Sequence, residues 1–273
     1  MVDVAPPPGR LRALELSIGS ISCLDALEWS RQLRDSSVDC IWTSPPFNLA
    51  DEMRGGGGRE AGEFRYADSD EEQRGDGTHK DEDEYQREQV ANLKQWHRAL
   101  KPDGVLFYSH KNRHQGGRMI TPYEWLRRTP LEVMGEIVWN RKGTVNVDSR
   151  RFLPASERIY ILAKRPGVIL WNERRLPDVL DVPPNHHQRK KSGHPCPTHP
   201  SIVRACLEVL PRVKDRRLVV ADPYSGIGTT GKVARELGMD FLLNDISPTY
   251  VAMMQQEFES GSWAMPLDMQ VDS

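Results

Sequence analysis

Short β-prone apolar runs alternate along the chain with stretches in which apolar residues recur every three or four positions. Val38-Asp39-Cys40-Ile41-Trp42 is the first clear strand, and it ends abruptly at Thr43-Ser44-Pro45-Pro46-Phe47-Asn48. Val90, Leu93, Trp96 or His97, and Leu100 fall at helical spacing; Lys101-Pro102-Asp103-Gly104 then stops the helix before a strand over Val105–Tyr108. Ile137–Trp139 and Ile159–Ala163 read as two further strands, and Ile202–Leu210 as a helix. Leu218–Ala221 is a strand, Thr229–Leu237 a helix and Phe241–Leu243 a strand. This alternation predicts an α/β fold built on a doubly wound, mostly parallel sheet. Such sheets bind ligands beyond the carboxyl ends of their strands, and two of those ends carry unusual turns.

The polar stretches set the boundaries. Residues 51–84, with Gly55–Gly58 and the acidic runs Asp68–Glu72 and Asp81–Glu84, offer little to a core and read as a mobile surface loop. Residues 1–10 and 258–273 read as loose ends and 11–257 as a single domain, with no internal repeat. Of 273 residues 38% are hydrophobic, so a globular chain is still expected. A mean hydropathy of -0.61, with no run near the roughly 20 apolar residues that span a bilayer, excludes a membrane protein. Met1–Arg10 has no basic start followed by an apolar run, so no signal peptide is expected. Cys23, Cys40, Cys196 and Cys206 form no C-x-x-C pair, which argues against a disulfide framework or a zinc ribbon and fits a reducing cytoplasm.

The net charge of -2 hides a split. Residues 51–90 hold 14 acidic against 6 basic side chains, whereas residues 141–193 hold 12 basic against 5 acidic. A local basic excess is the footprint of a phosphate-backbone partner, although a solvated surface gives the same count.

The turn after Leu218–Ala221 reads Asp222-Pro223-Tyr224-Ser225-Gly226-Ile227-Gly228-Thr229-Thr230. Its glycines allow a sharp strand-to-helix turn and close approach of a ligand, and the helix start behind it favours a negatively charged group. Asp245, at the end of the next strand, is placed to accept hydrogen bonds from ribose hydroxyls, as in nucleoside-binding folds. Gly226 to Lys232 also matches the start of a phosphate-binding P-loop, but Val233 stands where a magnesium-ligating Ser or Thr is required.

At Ser44-Pro45-Pro46-Phe47, two consecutive prolines remove two backbone donors. The Ser44 hydroxyl and the Pro45 carbonyl are then free to point outward as acceptors beside the flat face of Phe47. That combination suits a planar base bearing an exocyclic amine; a rigid loop with a core Phe is the plainer alternative. Asn48 either fixes the turn or touches the base.

Taken together, these segments resemble the DNA amino-methyltransferases. Ser44–Phe47 resembles their catalytic tetrapeptide, and Asp222–Thr230 their S-adenosylmethionine motif. Asp245–Val251, Leu100–Gly104, Glu136–Gly143, Glu157–Tyr160 and His194–Pro200 look like further family segments, in the order of the β group. Ser44 in place of the usual Asp is closer to the cytosine-N4 enzymes than to the adenine-N6 ones. Gly19-Ser20 replaces a common Gly-Asp, and Thr198-His199 stands where a lysine is usual.

The resemblance implies a Rossmann-like methyltransferase domain with a small target-recognition insertion at 164–193. It implies transfer of a methyl group from S-adenosylmethionine to the N4 amine of a flipped-out cytosine in DNA. Ser44, Pro45, Pro46 and Phe47 would be catalytic, without a covalent intermediate. Asp222, Pro223, Tyr224, Ser225, Gly226, Gly228, Thr229, Thr230, Asp245 and Thr198 would hold the cofactor. Within the basic stretch, Arg141, Lys142, Arg150, Arg151, Arg174, Arg175, Arg189, Lys190 and Lys191 are the candidates for DNA phosphates. The partner implied is duplex DNA, with a cognate restriction endonuclease left open, no membrane, and a monomer or homodimer of cytoplasmic bacterial or phage origin.

Three alternatives stay open: adenine-N6 methylation on the same fold, a non-enzymatic DNA-binding relative, and cytosine-C5 chemistry through Cys196. The last is disfavoured because Cys196 lies far from the tetrapeptide. His186, His187, His194, Cys196 and His199 match no zinc-site spacing, and no metal is expected.

Overall fold

The computed structural model describes residues 19–49, 80–115, 117–143, 152–184, 194 and 196–261. Strand β1 (Ser20–Cys23), helix α1 (Ala26–Gln32) and strand β2 (Val38–Thr43) are followed by α2 (Glu82–Ala99) and β3 (Leu100–His110). A small hairpin, β4 (Arg113–Gln115) with β5 (Arg118–Ile120), and the one-turn helix α3 (Tyr123–Leu126) lead to β6 (Glu132–Asn140) and β7 (Ser156–Ala163). Strand β8 (Val179–Asp181), α4 (Pro200–Glu208), β9 (Val219–Asp222), α5 (Thr229–Glu236), β10 (Asp240–Asp245) and α6 (Pro248–Ser260) complete the order.

Eight strands form one sheet in the order β1-β10-β9-β2-β3-β7-β6-β8. From β1 through β3 the neighbours are parallel; β7 runs antiparallel to both β3 and β6, and β8 is parallel to β6. Side chains alternate across the central strands, as the two-residue period of a strand requires. Cys40, Trp42, Val105 and Phe107 join the core formed with α4, α5 and α6, while Ile41, Leu106 and Tyr108 join the core formed with α1, α2 and α3; Val38 joins the latter across a register irregularity between Val38 and Cys40. The winding therefore reverses between β2 and β9, since β2 crosses to β3 through α2 on one face and β9 crosses to β10 through α5 on the other. Ligands of doubly wound sheets bind outside such a reversal point.

Helix α2 is longer than its apolar spacing predicts. Asp81 caps it by accepting the N–H groups of Asp83 and Glu84, and Glu82, Asp83 and Glu84 in the first turn favour the positive end of the helix dipole. The acidic run Asp81–Glu84 is thus a helix start and not the end of a loop. Residues 51–79 of the expected loop lie outside the described residues. Gln86, Gln89 and Asn92 are buried along with Tyr85, Leu93 and Trp96, and these polar side chains blur the periodicity. Trp96 Nε1 donates to Ser30 Oγ at 2.9 Å, tying α2 to α1.

The predicted strands all form, β9 shifted by one residue and the others extended by one or more, and β1, the β4–β5 hairpin and β8 are additions. Strand β8 places part of the 164–193 segment on the sheet edge. Helix α6 runs to Ser260, into the expected tail. No helix among the described residues is long and apolar enough to cross a membrane.

Candidate active site

Residues 44–48 leave the end of β2. The turn is held from α2 at two points. Asn48, at φ +57°, donates from Nδ2 to the Lys80 carbonyl and accepts the Lys80 N–H through Oδ1, both at 3.0 Å, so it fixes the turn. Tyr85 Oη donates to the Pro46 carbonyl at 2.7 Å. Tyr85 Oη also lies 2.7 Å from His110 Nε2, and the His110 ring sits 4.8 Å from that of Phe47. Burial holds His110 well below the usual histidine range, so it is neutral. Nδ1 lies 2.8 Å from both the N–H and the carbonyl of Lys111 and Nε2 lies 2.7 Å from Tyr85 Oη, so the ring is bonded on both sides whichever nitrogen holds the proton. Among the described residues nothing bonds to the Ser44 hydroxyl or the Pro45 carbonyl, and both remain available as acceptors.

The second turn leaves the end of β9. Gly226 has φ +52° and Gly228 φ +79°, the left-handed region that glycine enters without strain. A Cβ on Gly226 would come within 2.9 Å of His194 Nε2. Burial lowers His194 to about 4, so this ring too is neutral. Asp245, the last residue of β10, accepts the Gly226 N–H through Oδ2 at 2.8 Å and the Ser247 N–H through Oδ1 at 2.9 Å. It joins the glycine turn to the start of α6. Asp222 lies behind the turn, accepting from Thr230 Oγ1 at 2.6 Å and from the Tyr224 N–H at 3.0 Å. Burial raises its carboxyl to about 7, against these hydrogen bonds. Lys232 is buried and paired with Glu257, so it is not a phosphate-binding lysine on the turn.

Both turns open into one cavity of about 360 Å³. Ser44, Pro45, Pro46 and Phe47 line one side; Tyr224, Ser225, Gly226, Asp245 and Thr198 line the other. Asp222, Pro223, Gly228, Thr229 and Thr230 do not line it, and shape the turn from behind. Trp139, Glu157, His194 and Tyr250, none of them among the site residues expected from the sequence, also line it. All four lie within segments that resemble the family's, but no role attaches to them there; Trp139 and Glu157 reach the cavity through strand pairing.

The basic candidates divide. Arg141 is in the cavity wall, bonded to Glu157 at 2.5 Å. Lys142 is exposed at the same end and lies 3.4 Å from Asp181. Arg174 pairs with Glu208 at 2.8 Å, in a groove formed with Arg217, Leu218, Gly238 and Met239 at the amino ends of β9 and β10. Arg174, and Arg175 beside it, are therefore at the end of the sheet opposite the cavity. Arg150, Arg151, Arg189, Lys190 and Lys191 lie outside the described residues, as do His186 and His187. Among the described residues no three His, Cys, Asp or Glu side chains gather as a metal site.

Residues 38–256 match the N6/N4 family of DNA methylases. The type II methyltransferase M.BglII of Bacillus subtilis is 25% identical over 264 residues, covering 85% of this chain and 66% of that protein. Among solved structures, the cytosine-N4-specific PvuII DNA methyltransferase superposes with a TM-score of 0.68 at 18% identity, covering 90% of this chain and 88% of the other. TTHA0409 of Thermus thermophilus, in complex with S-adenosyl-L-methionine, superposes at 0.57 with 17% identity, covering 90% and 96%.

Proposed function

The chain belongs to the N6/N4 DNA methylase family, and from that premise we propose that it methylates the N4 amine of cytosine in DNA, with S-adenosylmethionine as donor. The observation that carries this reading is the single cavity shared by the Ser44–Phe47 turn and the Gly226–Asp245 turn. Unpaired acceptors thus stand across the cavity from the Gly226 backbone and the Asp245 carboxylate.

The residues fit the cofactor. The Gly226 backbone and the Asp245 carboxylate, both in the cavity wall, suit a nucleoside's close approach and its ribose hydroxyls. Neutral His194 adds no positive charge against a cationic sulfonium. When bound, S-adenosylmethionine supplies an electrophilic methyl group.

The chain's own residues do the rest. Reaching a base amine requires the nucleotide to leave the stack, at a cost of a few kcal/mol. Phe47 stacks on the extruded ring. Ser44 Oγ and the Pro45 carbonyl accept the two amine hydrogens, turning the nitrogen lone pair out of conjugation with the ring. Ser44 is an acceptor in this scheme and not a nucleophile, and the catalysis is positioning and electrostatics. The hydroxyl of Ser44 and the cytosine-N4 specificity of the PvuII enzyme both favour cytosine over adenine. The likeness to a type II methyltransferase supports a role alongside a restriction endonuclease.

Nucleoside mass spectrometry on DNA incubated with protein and S-adenosylmethionine tests the proposal. N4-methylcytosine is expected, and Ser44→Ala should abolish most of it; N6-methyladenine alone would overturn the base assignment.

A further inference from the structure

The Arg141–Glu157 pair has no part in the chemistry above, yet sheet order sets it opposite the catalytic turn. Because β7 is antiparallel to β3, its start, with Glu157, lies at the edge where β2 delivers Ser44; β6, antiparallel to β7, ends at that edge just before Arg141. With neighbouring strands about 4.8 Å apart, β7 is about 10 Å and β6 about 14 Å from β2. Ser44, Arg141 and Glu157 all line the same cavity. A six-membered ring held at Ser44 by its amine fits that span and turns its adjoining edge toward Arg141.

The pair is built to hold a fixed donor. Glu157 accepts from Nη1 of Arg141 at 2.5 Å, and the guanidinium lies 5.4 Å from the centre of the Trp139 ring. The Glu157 side chain is 8% exposed and that of Arg141 26%. Arg141 Nε is buried and out of a ligand's reach, but among the described residues none engages Nη2, and Nη1 spends one of its two protons on Glu157. A guanidinium oriented by a carboxylate and an aromatic face, with donors unspent, suits a ligand edge that carries acceptors.

We propose that Arg141, held in place by Glu157, reads the ring edge next to the target amine and so selects cytosine. Cytosine presents two acceptors in succession beside its exocyclic amine, N3 and O2. Adenine presents one, N1, followed by a C–H. The guanidinium pairs with both cytosine acceptors, whereas adenine leaves one desolvated donor unmatched, which a hydrogen-bonding site penalises. Arg141 is then a base-binding residue and Glu157 a positioning residue. This inference rests on the amino-methyltransferase reading.

The test compares the wild type with Arg141→Met, Arg141→Lys and Glu157→Gln on mixed-sequence DNA. It follows N4-methylcytosine and N6-methyladenine by mass spectrometry at limiting DNA, and S-adenosylmethionine affinity by titration. Arg141→Met is expected to keep cofactor affinity, to lose about 100-fold in N4-methylcytosine formation, and to lower the ratio of methylcytosine to methyladenine. Arg141→Lys should restore part of the rate, and Glu157→Gln should fall in the same direction by a smaller factor. An unchanged rate and base ratio in Arg141→Met, with the wild type making N4-methylcytosine, overturns the inference and leaves the reaction standing. A joint loss of cofactor affinity and turnover gives the pair a structural role and overturns it too. A wild type that makes only N6-methyladenine overturns the cytosine reading, and this inference with it.

Discussion

Tyr85 reaches from the first turn of α2 to the carbonyl of Pro46, 2.7 Å away, and by doing so commits one of two adjacent carbonyls in the Ser44–Phe47 turn. The other, that of Pro45, is left free for the cavity. Tyr85→Phe removes the donor while keeping the ring against Trp125 and beneath the Arg113 guanidinium. The expected outcome is a kcat lowered about three- to tenfold, the worth of one ordinary hydrogen bond. Cofactor affinity should be unchanged, which steady-state kinetics and a binding titration will show.

Ser44→Ala and Asp245→Ala should separate chemistry from cofactor binding. The first deletes an acceptor for the amine; turnover should fall about 100-fold, as for removal of one preorganised polar contact, with cofactor affinity retained. The second deletes the bridge between the Gly226 and Ser247 N–H groups. Cofactor affinity should fall at least tenfold, and thermal stability should drop because the turn loses both anchors. Calorimetric titration of each variant with S-adenosylmethionine checks both statements.

Two glycines make a matched pair for the cofactor turn. Gly226 and Gly238 have φ values of +52° and +71°, so alanine strains the backbone at both, by about 1 kcal/mol. Only at Gly226 does the added methyl meet a neighbour, His194 Nε2 at 2.9 Å, whereas nothing lies within 4 Å at Gly238. Gly226→Ala should therefore abolish cofactor binding. Gly238→Ala should cost only the backbone strain and leave cofactor binding intact, as paired denaturation and binding curves will show.

The two turns were legible in the sequence because their grammar is local. Proline pairs, glycines at strand ends and an acid closing the next strand each act within a few residues of where they stand. Arg141 and Glu157 were not legible as a pair. They meet because β6 and β7 align Trp139 with Glu157, and that register is decided by packing, not by neighbours in the chain. Arg141 was read as a phosphate contact because a basic residue in a basic stretch carries no mark of the carboxylate that captures it. Tyr85 and His110 were missed for a related reason: one belongs to a helix turn that opens with acids, the other to the last residue of a strand. Neither pattern announces a contact of Tyr85 with Pro46 or of His110 with Phe47. Helix α2 itself was half legible, since buried Gln86 and Gln89 interrupt the apolar spacing that revealed the half from Val90 onward.

Asp222 should leave a signature in the pH dependence of stability. Its carboxyl is raised from 3.8 to about 7, burial outweighing the hydrogen bonds from Thr230 and the Tyr224 N–H. Between those two values the folded protein keeps a proton that the unfolded chain has released. Stability contributed at this site therefore falls as pH rises from about 4 to about 7, and levels off above. Asp222→Asn is neutral throughout; its Oδ1 still accepts the Tyr224 N–H, and its Nδ2 donates to Thr230 Oγ1. Relative to the wild type, the variant should gain stability steadily across that interval and show a constant difference beyond it. Urea denaturation of both proteins at pH 5, 6, 7 and 8 checks this, and a difference that does not change with pH would show that the buried carboxyl is ionised across the whole range.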